Sequence, residues 1–398
     1  MSHHTRSRGA LGVLAALALA TGAVVLASPG SPAAAEVREH TITGFWQNFD
    51  NGAEVLRLAD IPDAYGIVAV AFAESVPSTP GAIDFALDPD VSAQLDYDEA
   101  DFTADVARLQ AEGRRVVISV GGEKGSITLP DQSAADAFAS STLALMDEYG
   151  FDGVDIDLEN APNLQYMTSA LRQISAAAGD DLVLTMAPET IYVQPGGSYL
   201  QLIDEVSDII TVVNTQYYNS GSMLGRDGKA YSAGTVDFQT ALADILLDGH
   251  LRPDQVGLGL PATSRAAGSG YVDPEVVGDA LDCLAAGVRC GSYTPASTYP
   301  AIRGAMTWSV NWDATNGYDF AETVGARLQT LGEGGSPDPD PTEDPDPAGC
   351  EGTSAWSSGA VYTGGSEASH DGALWRARWW TQGETPGGAD VWERLGDC

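Results

Sequence analysis

The sequence predicts an α/β chain built on a closed (β/α)8 barrel of the TIM type, followed by a small second unit. Three observations carry that prediction. Eight short apolar runs recur over roughly 300 residues, and amphipathic stretches separate most of them. A Pro/Asp-rich segment then interrupts the chain, and a short tail rich in aromatic residues follows it.

The first 35 residues stand apart from this pattern. Arg6 and Arg8 precede an apolar run from Leu11 to Leu26, small residues follow, and Ala33-Ala34-Ala35 fits a cleavage site. This reads as a secretory signal peptide cut after Ala35, so the mature protein is expected to be soluble and extracellular. Ser28, Pro29, Gly30 and Pro32 break the run and argue against a membrane anchor. The eight strand candidates are Ile42–Trp46, Ile67–Phe72, Val116–Val120, Val154–Leu158, Leu182–Ala187, Ile209–Tyr217, Val256–Leu260 and Gly304–Trp308. Helical periodicity covers Ala134–Glu148, Asn163–Ala177, Phe238–Leu247 and Pro274–Ala286. An open doubly wound sheet is the competing layout. It is disfavoured because Gly121-Gly122 follows a strand without any G-x-G-x-x-G fingerprint.

Residues 36–332 are therefore expected to form the barrel. Residues 333–349 alternate Pro with Asp, cannot build a core, and read as an extended spacer. Residues 350–398 form the small unit. The chain of 398 residues carries a formal charge of −37, and Lys124 and Lys229 are its only lysines. Loss of residues 1–35 removes two arginines and no acid, which leaves about −39. Such a surface repels nucleic acid and anionic membranes and suits a neutral substrate. The acidity also fits a saline habitat or a compositional bias toward Ala, Asp and Gly. All four cysteines lie beyond residue 280, and in an exported chain the natural pairings are Cys283–Cys290 and Cys350–Cys398. No C-x-x-C occurs and three histidines remain after processing, so no zinc site is expected.

The densest chemistry lies in Phe151–Asn160. Asp155, Asp157 and Glu159 alternate with Val154, Ile156 and Leu158, so a strand would place the three acids on one face. Three like charges there repel, and at least one must hold a proton or find a partner. Three carboxylates suit Mg²⁺ or Ca²⁺ as well as acid–base work. Asp152 has the opposite parity and reads as a structural turn residue. In a barrel, chemistry sits at the C-terminal ends of the strands, which here carry Trp46, Glu159, Met186 to Glu189, Gln216 to Asn219, and Trp308 to Asp313.

Position for position, Asp152 to Glu159 resembles the Asp-x-x-Asp-x-Asp-x-Glu signature of family 18 glycoside hydrolases, the chitinase family. Ser119-Val120-Gly121-Gly122, Met186-Ala187-Pro188-Glu189, Gln216-Tyr217-Tyr218-Asn219 and Trp308 resemble the family's other motifs, in the expected order. The resemblance implies that Glu159 is the general acid and later the base, its pKa raised by the neighbouring aspartates. It implies that the 2-acetamido oxygen of the substrate acts as nucleophile, with Asp157 holding the acetamido N–H and Asp155 sharing a proton with Asp157. Tyr218 would aim the acetamido carbonyl, with Tyr217 the less favoured holder of that role. Trp308 would floor the subsite, and Gln216, Met186, Asn219 and Trp46 would line it. No cofactor or metal is implied, and a monomer is expected. Some members insert an α+β domain between strands seven and eight. The stretch from Pro261 to Arg303 leaves no room for one, which predicts an open cleft and internal cleavage of polymer.

In the tail, Trp375-Arg376-Ala377-Arg378-Trp379-Trp380-Thr381 resembles the Ala-Lys-Trp-Trp-Thr segment of the small all-β chitin-binding modules of carbohydrate-binding families 5 and 12, with Arg378 replacing the usual Lys. The resemblance implies a stacking surface for pyranose rings. Trp380 is the favoured platform, Trp379 the alternate and Tyr362 a helper. The expected function is a secreted endo-chitinase acting on chitin and chito-oligosaccharides. The alternatives are an endo-β-N-acetylglucosaminidase on N-glycans and a non-catalytic chitin-binding lectin.

Overall fold

The computed structural model describes residues 1, 37–125, 127–331, 356, 361–362, 364–370, 372–379, 381–382 and 384–397. The expected signal peptide, the spacer, Cys350, Trp380 and Cys398 lie outside the described residues. Contacts divide the chain into two units, Met1–Gly334 and Gly335–Cys398.

In the first unit eight parallel strands close on themselves. They are β1 (Thr41–Gln47), β2 (Tyr65–Ser75), β3 (Arg115–Gly121), β4 (Gly153–Asp157), β5 (Val183–Met186), β6 (Val212–Gln216), β7 (Val256–Pro261) and β8 (Gly304–Trp308). Each pairs in parallel with its sequence neighbour, and β1 also pairs with β8, so the sheet has no open edge. All eight expected strands are present. The sixth is shorter than its apolar run, because Ile209–Thr211 serve the approach to the strand.

Two apolar layers follow from strand alternation. Phe45, Ile67, Ala69, Val117, Val212 and Met306 point into the barrel and fill it. Their alternates pack outward against the helices in one large shell. Those helices are α1 (Pro89–Leu95), α2 (Glu99–Ala111), α3 (Gln132–Tyr149), α4 (Leu164–Ala178), α5 (Ser198–Val206), α6 (Val236–Leu247), α7 (Pro274–Ala286), α8 (Val310–Thr315) and α9 (Asp319–Gln329). Local chemistry fixes their ends. Asp131 caps α3 by accepting from the Ala134 amide at 2.9 Å, and Gly150, at φ 77°, closes it in the left-handed conformation. Pro274 opens α7 at a position that needs no N–H, and Gly287 ends it. Between Pro261 and Gly304 there is α7, irregular chain and the Cys283–Cys290 disulfide, but no strand. None of the described helices is long and apolar enough to cross a membrane.

The described part of the second unit is antiparallel. Glu367–His370, Ala373–Ala377 and Trp392–Asp397 form one sheet, and Val361–Tyr362 pairs with Thr381–Gln382. Ala368, Ala377, Val391 and Trp392 make its core. Tyr362 is half-buried, edge-on to Trp392 at 4.9 Å.

Candidate active site

The acidic stripe divides along the chain according to what each carboxyl touches. Asp152, before the strand, pairs with Arg115 at 2.8 Å and accepts from the Val116 amide, which confirms a structural place. Asp155 is fully buried inside the barrel. The Ser119 hydroxyl donates to one of its oxygens at 2.7 Å and the Thr185 hydroxyl to the other at 2.6 Å. Burial outweighs these two donors and pushes its pKa up from 3.8 to about 6. Asp157, one turn of alternation higher, receives the Gln216 side-chain amide at 2.8 Å. Burial raises its pKa well above the ordinary value, the charges of Asp155 and Glu159 add to this, and the Gln216 bond opposes it. Both carboxyls therefore hold their protons to higher pH than free aspartates do.

Glu159 lies two residues beyond the end of β4 and is exposed at the mouth of the barrel. Its pKa is also raised. The leading cause is the desolvation it still feels from surrounding protein, followed by the charges of Glu189 and Glu123. Within the stripe, the mutual repulsion of Glu159 and Asp157 raises Asp157. Glu189, held where Pro188 and Gln216 bring the ends of β5 and β6 together, is a fourth acid of the mouth, and it too is raised by burial. Glu159 and Glu189 thus stand close enough to sense each other's charge, a pairing that sequence distance conceals.

The Gly121-Gly122 pair has a steric reason. A Cβ on Gly121, at φ 126°, would lie 2.1 Å from the Asp157 carbonyl oxygen. A Cβ on Gly122, at φ 73°, would lie 2.6 Å from the Phe72 ring. The bare Gly121 lets β3 approach β4 closely, the bare Gly122 leaves room for the Phe72 ring of β2, and the Gly122 amide donates to the Asp157 carbonyl at 2.8 Å.

Tyr218 is nearly buried. Its phenol pKa is raised by burial and then by Asp157, Glu159 and Asp155, which places it in the field of the acids. Trp308 is half-buried at the end of β8. It stacks on Phe72 with centroids 5.7 Å apart and lies 6.3 Å from Phe49 and 5.6 Å from Phe45. Gln216 spans the mouth, donating to the Ala187 carbonyl at 2.9 Å as well as to Asp157.

Three expected lining residues do not face the mouth, and a fourth, Asn219, is engaged with a loop. Trp46 alternates with the inward Phe45, is fully buried against Phe102 on the helical side, and donates its indole N–H to the Leu56 carbonyl. Met186 alternates with the inward Thr185 and belongs to the outer shell. Tyr217 alternates with Gln216 and packs edge-on against Phe238 of α6, its hydroxyl buried on the helical side. Asn219, at φ 49°, uses its side-chain oxygen to accept from the Gly268 and Ser269 amides, so it braces a loop. Phe49, Phe72 and Tyr199 are neighbours of the site that the sequence did not single out, and Glu189 was named there only as a strand-end residue of its motif. In the second unit Trp379 is 55% exposed. Among the described residues, no group of three or more His, Cys, Asp or Glu could hold a metal ion.

A closed parallel barrel with a buried carboxyl pair and a reachable glutamate at its C-terminal mouth defines an acid–base site of the TIM-barrel class. Residues 41–328 match the model of glycosyl hydrolases family 18, and the chain belongs to that family. Residues 355–393 match carbohydrate-binding module family 5/12. Exochitinase 1 of Streptomyces olivaceoviridis is 37% identical over 334 residues, covering 73% of this chain and 56% of that protein. A crystal structure assigned as chitinase A of Streptomyces coelicolor is 57% identical, with a TM-score of 0.71 over 74% of this chain and all but 1% of the other. A family GH18 chitinase from Chromobacterium violaceum is 34% identical, with a TM-score of 0.70 over 74% of this chain and 85% of that one. The chain spans 56 to 64% of the length of the first curated relatives it matches.

Proposed function

We propose that the protein is a secreted chitinase that cuts β-1,4 bonds within N-acetylglucosamine polymers and retains the anomeric configuration. The observation that carries the reading is the vertical division of labour along one strand. Two buried acids with raised pKa values lie below, one accessible glutamate with a raised pKa stands above, and Gln216 and Tyr218 stand beside them.

In the first step Glu159 gives its proton to the glycosidic oxygen as the bond to the anomeric carbon breaks. The substrate's acetamido oxygen bonds to that carbon from the opposite face, forming an oxazolinium ion and leaving Glu159 ionised. Asp157, held by Gln216, accepts the acetamido N–H and stabilises the cation, and Tyr218 donates to the acetamido oxygen and aims it. Glu159 then takes a proton from water, which attacks the anomeric carbon and reopens the ring. Two attacks from opposite faces give net retention. Trp308 supplies the apolar floor.

Internal cleavage is favoured by the short connection between β7 and β8, which builds no wall of strands beside the mouth. The presence of Glu159 speaks against a lectin, and the family 5/12 match speaks for chitin over N-glycans. Residues 36–332 act as the catalytic unit and 333–349 as a spacer. Residues 350–398 are the chitin-holding module, which raises the local concentration of substrate.

Incubation of the full chain with chito-hexaose, following products and anomers, tests the reading. β-Anomers of mid-length products are expected. A Glu159→Gln variant should keep chitin binding and lose turnover by several powers of ten, and a fully deacetylated oligomer should not be cut. Brisk cleavage of that oligomer sinks the mechanism.

A further inference from the structure

The end of β4 is held on its two flanks by different means. Toward β3, the Gly122 amide bonds the Asp157 carbonyl. Toward β5, regular pairing stops at Ile156, whose carbonyl accepts from the Ala187 amide at 3.0 Å. The chain after β5 turns away, so Leu158 has no strand beside it on that flank.

Its place is taken by one side-chain hydroxyl. The Tyr199 phenol, near the start of α5, accepts the Leu158 N–H at 3.0 Å and donates to the Leu158 carbonyl at 3.0 Å. Tyr199 is fully buried and tilted against Tyr192 at 6.3 Å. Burial and the charges of Asp157, Asp155 and Glu159 raise its pKa well above 10, so the hydroxyl keeps its proton across the working range. A single O–H thus serves both polar groups of the peptide residue immediately before Glu159.

We propose that Tyr199 is a positioning residue for Glu159: its hydroxyl stands in for the missing strand and fixes the height and direction of the acid above Asp157. The inference rests on Glu159 being the proton donor. The hydroxyl touches no substrate. It acts by holding Leu158, and the glutamate follows its backbone.

The test is Tyr199→Phe in the full chain, which retains the ring and removes only the hydroxyl. A misplacement of about 1 Å costs up to about 100-fold in rate, so kcat should fall between about 10- and 100-fold while KM stays within about twofold. The alkaline limb of the kcat–pH profile should move to lower pH, because a Glu159 freed to swing toward water loses the desolvation that raises its pKa. Assays are run where near-UV circular dichroism matches the parent. A kcat within about twofold of the parent, or a loss of kcat with the alkaline limb unmoved, overturns the proposal.

Should the phenylalanine variant fail to fold, 3,5-difluorotyrosine at 199 keeps shape and packing while weakening the acceptor. A smaller fall in kcat with the same direction of limb shift supports the proposal, and an unchanged profile overturns it. Glu159→Gln run in parallel separates the two levels. If it retains turnover, the assignment of the acid is wrong. If it is dead while Tyr199→Phe is normal, only the positioning role is lost.

Discussion

Burying Asp155 inside the barrel makes the fold less stable as pH rises, and the size of that effect follows from its surroundings. Its carboxyl is fully enclosed, holds two hydroxyl donors, and still has a pKa lifted from 3.8 to about 6. A folded-state value above the unfolded one means that the native protein binds the proton more tightly. The stabilisation is therefore complete below about pH 4 and is lost as pH climbs through about 6. The offset corresponds to about 3 kcal/mol. Asp155→Asn removes the titration, keeps an acceptor for Ser119, and leaves Thr185 able to accept from the new amide. It also relieves Asp157 of a neighbouring charge, which flattens the profile further. Urea unfolding of parent and variant at intervals from pH 4 to 7, read by near-UV circular dichroism, gives two curves of stability against pH. The parent should fall relative to the variant by about 2 kcal/mol or more over that range, since the unfolded carboxyl is already partly ionised at pH 4. Parallel curves, whatever their vertical offset, would refute the argument that burial of this acid opposes its ionisation.

Further outcomes separate residues that share a motif. Tyr218→Phe should lower kcat by about 10²-fold on chito-oligosaccharides, the usual cost of one donor aimed at developing charge. Tyr217→Phe removes a hydroxyl buried on the helical side, away from the acids, so activity should stay at the parent level and stability should change by no more than about 1 kcal/mol. Steady-state kinetics and a melting curve on the two variants decide both points. Trp379→Ala should weaken adsorption to insoluble chitin about tenfold, ~1.4 kcal/mol, while leaving hydrolysis of soluble oligomers unchanged. A depletion assay measures the first and product analysis the second.

Much of the barrel was legible because its signals are local. Each strand is a short apolar run, and Pro274, Gly150 and Asp131 mark helix ends by their own conformational preferences. The acids of β4 were legible because alternation with a period of two assigns their face as well as their height. The three misplaced residues show the difference between those two coordinates. Trp46, Met186 and Tyr217 stand near the C-terminal ends of their strands, which gives the correct height, but each follows or precedes an inward residue and so turns toward the helices. Parity relative to Phe45, Thr185 and Gln216 would have excluded them had those inward neighbours been known. Asn219 escaped for another reason. Its left-handed backbone and its bonds to Gly268 and Ser269 depend on a loop nearly fifty residues away.

The nearness of Glu189 to Glu159 and the contacts of Tyr199 were illegible for a shared physical cause, and it bears on how the mouth is built. A strand can align side chains only as far as its hydrogen-bonded neighbour accompanies it. The neighbour on the β5 side leaves at Ile156, yet the accessible acid is Glu159, so three residues must be ordered without that flank of the sheet. The same departure of the chain after β5 brings Glu189 within electrostatic reach of Glu159 and, ten residues later, returns Tyr199 to Leu158. One excursion thus supplies both the charge that helps keep the acid protonated and the hydroxyl that holds its backbone. No local pattern encodes this, because the two contacts exist only once β4 and β5 are paired. An acid placed inside the strand, as Asp155 is, would have needed neither contact, but it would have been sealed from any molecule outside the barrel.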